Sequence, residues 1–214
     1  DGTEIPFCAP KHSLAYMNYK KFNSVKLTCA CDYKLRARFI DVGVPGRMND
    51  AQAYSQCSFE DAMKQLNDVG TYSSFNGNLY GLDVPFFAVG DGIYGCTKYL
   101  VSPYTTRGRN IIQDHQRPFN VKQRRTRNKI ERFYGVLTGR WRKLKIPQKL
   151  SKINMDRYIT TCVILHNICV EFGTPNIDFE LEEPIEVEGH PAGNDLPDGK
   201  LLREALTQYV IDTL

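Results

Sequence analysis

Residues Val25–Val44 read VKLTCACDYKLRARFIDVGV. Alternation places Val25, Leu27, Cys29 and Cys31 on one face of an extended segment that runs to Tyr33. A second extended segment, Leu35–Val44, follows so closely that a hairpin is the natural connection. DGTEIPF at 1–7 predicts another short strand. In VPGRMNDAQAYSQ, Pro45 and Gly46 make a turn, and Asn49 or Asp50 caps a helix through about Gln56. A further helix is expected over Phe59–Leu66.

Downstream the pattern is mixed. The Gly-, Ser- and Asn-rich stretch 70–81 reads as a loop. Phe86–Val89 is a continuous apolar run ending in Gly-Asp-Gly, which predicts a fully buried central strand presenting Asp91 at its C-terminal end. A polar loop is expected over 101–117, a long helix from Asn120 to about Trp141, and a second over INMDRYITTCVILHNICVEF, 153–172. Strands first, then strands and helices in mixed order, predict an α/β domain with a mixed β-sheet flanked by helices. The expected organisation is a domain over 1–172, an acidic proline-rich segment expected to be disordered over 173–200, and an amphipathic helix over 201–214.

The chain has 214 residues and a net charge of +4, spread unevenly. Lys98–Lys149 holds fifteen Lys and Arg against Asp114 and Glu131, whereas Glu171–Lys200 holds nine acids against one Lys. Such asymmetry suggests a polyanion-binding face beside an acidic segment; two solvated surfaces of opposite sign are the plainer alternative. No run of about 18 apolar residues is present, so no membrane partner is expected. Seven Cys at irregular spacing suit reduced thiols in an intracellular compartment. The chain begins with Asp rather than Met, and so reads as a fragment or a processed product.

Four acids stand at element ends or inside the basic region: Asp1, Asp50, Asp91 and Glu131. Carboxylate oxygens suit Mg²⁺ or Mn²⁺, and a metal pair about 3.5–4 Å apart can cleave a phosphodiester. Glycines on either side of Asp91 leave room for a phosphate backbone, although an Asp there also serves as a turn residue. On a helical projection Ile130, Phe133, Tyr134, Leu137, Trp141 and Leu144 form the buried stripe, with Glu131 at its border. An i, i+4 pair of Glu131 with Arg127 accounts for one arginine, not for the ten Lys and Arg of 121–145. Cys162, His166 and Cys169 share a helical face at a spacing that could hold zinc with a fourth ligand, but beside Ile159 and Val163 they read as core. Asp32 and Asp41 read as fold or solvent residues.

The blocks DGTEIPF, VPGRMNDAQAY, VGDGIYG with LVSPY, RPFNVKQRRTRNKIERFYGVLTGRWRKL and TTCVILHNIC resemble, in order, those of PIF/Harbinger-type transposases of the DDE superfamily endonucleases. The resemblance implies an RNase H-like fold and cutting and joining of DNA that depends on a divalent metal cation, Mg²⁺ or Mn²⁺. It implies catalytic Asp1, Asp91 and Glu131, with Asp50 as an additional metal ligand; the basic residues Arg124, Arg125, Arg127 and Lys129 are expected to position the DNA backbone without reading its sequence. It further implies DNA as partner, a nuclear location, and room for a separate DNA-binding partner protein. Asn49 stands where many members have His, and KQRRTR replaces the usual Ser-containing stretch. The alternative from another class is a catalytically silent, domesticated transposase that binds DNA or chromatin.

Overall fold

The computed structural model describes residues 1–9, 14–69, 78–106, 111–174 and 193–213. Its strands are β1 (Gly2–Pro6), β2 (Ser24–Cys31), β3 (Ala37–Pro45), β4 (Asn78–Leu79), β5 (Leu82–Asp83), β6 (Ala88–Val89) and β7 (Leu100–Val101). Its α-helices are α1 (Asp50–Gln56), α2 (Phe59–Asp68), α3 (Arg117–Arg140), α4 (Lys152–Glu171) and α5 (Pro197–Asp212). They form two compact units, Asp1–Cys57 with Lys129–Ile185, and Ser58–Asn128 with Glu186–Leu214.

The first unit is built on the expected hairpin. β2 pairs antiparallel with β1 on one side and β3 on the other. Opposed residues share a face in such a sheet, so Ile5, Val25 and Leu27 point together into the core. Ile130, Phe133, Val136 and Leu137 of α3 and Met155, Ile159 and Val163 of α4 cover that face. Gly43 is the extra residue of a bulge, since Lys26 pairs with Val44 and Leu27 with Val42; its φ of +106° suits a residue without Cβ. Asp32 closes the β2–β3 turn by accepting the backbone N–H groups of Lys34 and Arg36. Burial opposes its charge, yet the Arg36 N–H bond and the guanidiniums of Arg36 and Arg38 hold its carboxyl below the usual range.

The Asn49 cap forms as expected. Its side chain accepts from Gln52 N while the Gln52 side chain accepts from Asn49 N, a reciprocal capping box that starts α1 at Asp50.

The second unit departs from expectation at its strands. Phe86–Val89 does not become a buried central strand. The side chain of Asn67 accepts the Phe86 N–H at 2.8 Å and donates to its carbonyl at 3.3 Å, which takes the backbone groups a sheet neighbour would need. Only Ala88–Val89 remains paired, parallel to β7, and residues 86–89 are half-buried. Part of the loop expected over 70–81 lies outside the described residues; its end is a two-residue hairpin between β4 and β5. Tyr80 and Gly81 both have positive φ there, as the tight turn requires. The described sheets are therefore three small ones instead of one mixed sheet.

Cys96, Val101, Phe119 and Leu202 form the core of this unit. α3 begins at Arg117, before the expected Asn120, and ends at Arg140, after which Trp141 and a 3₁₀ turn, Arg142–Lys145, leave the helix axis. α5 begins at Pro197, four residues earlier than expected, because Pro suits the first helical position. Most of the segment expected to be disordered, 175–192, lies outside the described residues.

Candidate active site

Asp1 prolongs β1. Its backbone nitrogen donates to the Cys29 carbonyl at 3.0 Å, and Cys29 N–H donates back at 2.9 Å. This exchange makes Asp1 and Cys29 a directly opposed pair, so Asp1 belongs to the face of buried Cys29, Leu27 and Ile5. The Tyr134 hydroxyl donates to the Asp1 carbonyl at 2.6 Å and approaches that of Leu27 at 3.3 Å. Glu131, half-buried, precedes Tyr134 on α3 by one helical turn. The first expected acid and the helical turn that begins with the last are thus joined by one side chain.

The projected stripe is found in Ile130, Phe133 and Leu137, with Val136 added to it. Trp141 and Leu144 also reach the core, from beyond the end of the helix.

Asp50 stands elsewhere. A Cβ on Gly2 would lie 2.9 Å from Asp50 Oδ1, so Asp50 covers the sheet face to which Gly2 points. Alternation along β1 sends Asp1 to the opposite face. Lys26, opposed to Glu4, brings its Nζ 2.5 Å from Asp50 Oδ1 and 2.7 Å from Glu4 Oε1. Burial works against that ammonium, but Asp50 and then Glu4 outweigh it and raise its pKa above the ordinary value. Ser24 Oγ donates to Glu4 Oε2 at 2.6 Å, extending the network. The expectation that Asp50 joins Asp1 as a ligand therefore meets a different geometry: a carboxylate paired with a lysine across the sheet from Asp1.

Asp91 follows β6 in a tight turn. Its carboxylate accepts the Gly92 N–H at 2.5 Å and its carbonyl accepts the Tyr94 N–H at 3.1 Å. It has the turn role weighed above, while its side chain stays about half exposed and Arg127 Nη1 lies 3.9 Å away. The buried Gln123 side chain holds the carbonyl of Gly90 at 2.6 Å, which ties the turn to α3. Arg124, Arg125 and Lys129 are exposed on α3, and Arg127 is half-buried beside Asp91.

Among the described residues, no three His, Cys, Asp or Glu side chains gather where a metal ion could sit. This includes Cys162, His166 and Cys169. His166 is fully buried, with Nε2 at 2.7 Å from the Leu35 carbonyl and its ring edge-on to Phe133. Burial depresses its pKa; the Leu35 bond opposes this and Arg140, whose Nη1 is 3.4 Å from Nδ1, adds to it.

Sequence reasoning missed Lys26 and Tyr134. The signal for Lys26 was its place on the polar face of an otherwise buried strand. For Tyr134 it was a hydroxyl inside an apolar stripe, since a buried Tyr normally finds a partner. Among the described residues, no helix is long and apolar enough to cross a membrane.

A family model described as DDE superfamily endonuclease matches residues 1–167, which include all four acids and the basic part of α3. No curated protein and no solved structure matches the chain significantly. On a match covering well over half of its length, the chain belongs to the DDE superfamily endonucleases.

Proposed function

We propose that this is the catalytic domain of a PIF/Harbinger-type transposase, RNase H-like in fold, which cuts DNA phosphodiester bonds in the nucleus with Mg²⁺ or Mn²⁺. The observation that carries the reading is the Tyr134 bond to Asp1, because it fixes the turn of α3 that bears Glu131 to the strand that bears Asp1. Asp1, Glu131 and Asp91, which are not gathered into a ready-made site, would supply hard oxygen donors to a bound cation, the chemistry such a cation prefers. When bound, the metal would activate the attacking water or hydroxyl and stabilise the leaving oxygen. Asp50 is left out of this set because of its pairing with Lys26; its part is to fix the start of α1 to the sheet.

The rest is the work of the chain's own side chains. Arg124, Arg125 and Lys129 hold phosphate oxygens and thereby set the position of the duplex without reading its sequence. Arg127, with Nη1 3.9 Å from Asp91 Oδ2, orients that carboxylate. A separate DNA-binding protein would supply target choice.

The alternative is a catalytically silent domain that binds DNA or chromatin, and the exposed basic residues by themselves favour it. Binding of Mn²⁺, followed by paramagnetic resonance, separates the two. The nuclease should bind the ion and lose affinity on Glu131→Gln. If Mn²⁺ fails to bind, or binds equally to the variant, the silent domain is the better account.

A further inference from the structure

The family match ends at residue 167, but the Asp91 turn is braced by residues beyond it. Cys96 is fully buried, and both of its backbone polar groups are taken by the C-terminal segment. Its N–H donates to Asp195 Oδ1 at 2.9 Å, and its carbonyl accepts from Leu196 N–H at 2.8 Å. Asp195 Oδ2 in turn accepts from Arg203 Nη2 at 2.6 Å. Arg203, 9% exposed, directs Nη1 to the Pro103 carbonyl at 3.4 Å and lays its guanidinium 4.3 Å from the centre of the Tyr104 ring. Because the Thr207 hydroxyl donates to the Arg203 carbonyl, Tyr104 is the donor in its 3.0 Å bond to Thr207.

The approach is close enough to forbid side chains. A Cβ on Gly199 would fall 2.4 Å from the Cys96 carbonyl carbon, and one on Gly95 would fall 1.9 Å from the Asn194 carbonyl oxygen. Gly95 and Cys96, within the segment between β6 and β7, are thus gripped by the C-terminal segment. From Cys96 the chain of bonds continues inward: the Ser102 hydroxyl donates to the Tyr94 carbonyl at 2.6 Å, and Tyr94 N–H donates to the Asp91 carbonyl at 3.1 Å. Gly90 N–H, on the other side of Asp91, donates to the Val101 carbonyl at 3.1 Å.

We infer that Asp195 and Arg203 are positioning residues for the Asp91 turn, so that the catalytic domain includes α5 and does not end where the family match ends. The inference rests on the role given to Asp91 under Proposed function. Neither residue touches the reacting atoms; the pair acts through Cys96, Pro103 and Tyr104. Arg suits the place because its planar fork serves a carboxylate and a carbonyl at once while its face lies on the tyrosine ring.

The test uses the full chain with Arg203→Gln, Asp195→Asn and the conservative Arg203→Lys. Hydrogen exchange, measured without DNA or metal, should rise roughly tenfold or more at the Gly90, Tyr94 and Cys96 amides in the first two variants, with β2 amides unchanged. Plasmid cleavage should fall on the order of tenfold to a hundredfold in kcat while DNA affinity stays within about twofold, and Arg203→Lys should regain part of both effects. Wild-type exchange in Arg203→Gln and Asp195→Asn would overturn the inference. So would a loss of DNA affinity matching the loss of kcat with exchange unchanged, since Arg203 would then be a DNA contact. If exchange responds but Asp91→Asn cleaves as well as wild type, the brace stands and the role given to Asp91 falls.

Discussion

The hydroxyl of Tyr134 lies 2.6 Å from the carbonyl oxygen of Asp1, joining the C-terminal half of α3 to the first residue of the sheet. It holds together two parts of the first unit that the proposed chemistry needs as neighbours. Tyr134→Phe keeps the ring, which packs 5.3 Å from Phe133, and removes only the bond. Stability should fall by about 1 kcal/mol, the usual net value of one such hydrogen bond. Cleavage should fall further than so small a loss of folded protein could explain. Urea unfolding and nicking rates on the same preparation check this, and unchanged nicking would remove Tyr134 from the account.

Lys26 bridges two carboxylates on the other face of the sheet, with its side chain only 6% exposed. Lys26→Met leaves Glu4 and Asp50 facing each other without a cation, a change that costs about 3–5 kcal/mol when a buried pair is broken. The double variant Lys26→Met, Asp50→Asn should recover part of it, as measured by thermal unfolding. The Lys26 pKa is raised on folding, so its contribution is complete below about pH 10.4 and is lost as pH rises through the folded value. A drop in stability confined to the alkaline limb, and absent from Lys26→Met, is the expected signature.

His166 gives the opposite sign. Its pKa is depressed by burial, so the neutral ring contributes stability above about pH 6.5 that is lost as pH falls through the folded value. Between pH 7.5 and 5.5 the wild type should lose stability that His166→Gln does not lose. Denaturant midpoints at the two pH values provide the measurement. Equal losses in both proteins would show that His166 is not the group responsible.

Thiol chemistry offers a check on the β2 strand. Burial pushes the Cys31 thiol up to about 11, with Asp32 adding to the shift, and burial raises Cys29 further. Cys8 is exposed. Alkylation at pH 8 followed by mass spectrometry should modify Cys8 first and reach Cys29 and Cys31 only on unfolding, because the thiolate is the reactive form. Early labelling of Cys29 would contradict the packing of β2.

The parts of the fold that the sequence made legible are those set by neighbours in the chain. The β2–β3 hairpin follows from alternation that buries Val25, Leu27 and Cys29, and the start of α1 follows from Asn49 meeting Gln52. What escaped depends on distant partners. Asn67, 19 residues away, takes the backbone of Phe86 and shortens the expected strand. Arg203 reaches Pro103 across a hundred residues of chain. The same distinction runs through the site. Acids could be picked out one at a time, but the pairing of Asp50 with Lys26 depends on strand register, which puts Glu4 opposite Lys26 and leaves Asp1 on the other face.

Cleavage of supercoiled plasmid in Mg²⁺ or Mn²⁺, compared among wild type, Asp91→Asn and Glu131→Gln, tests the central claim most directly. Wild type should nick DNA and stop on chelation. Each variant should lose on the order of a hundredfold or more in rate, since a carboxylate that holds the metal acts on the transition state itself, while plasmid binding persists. Undiminished, metal-dependent cleavage by either variant would contradict the account.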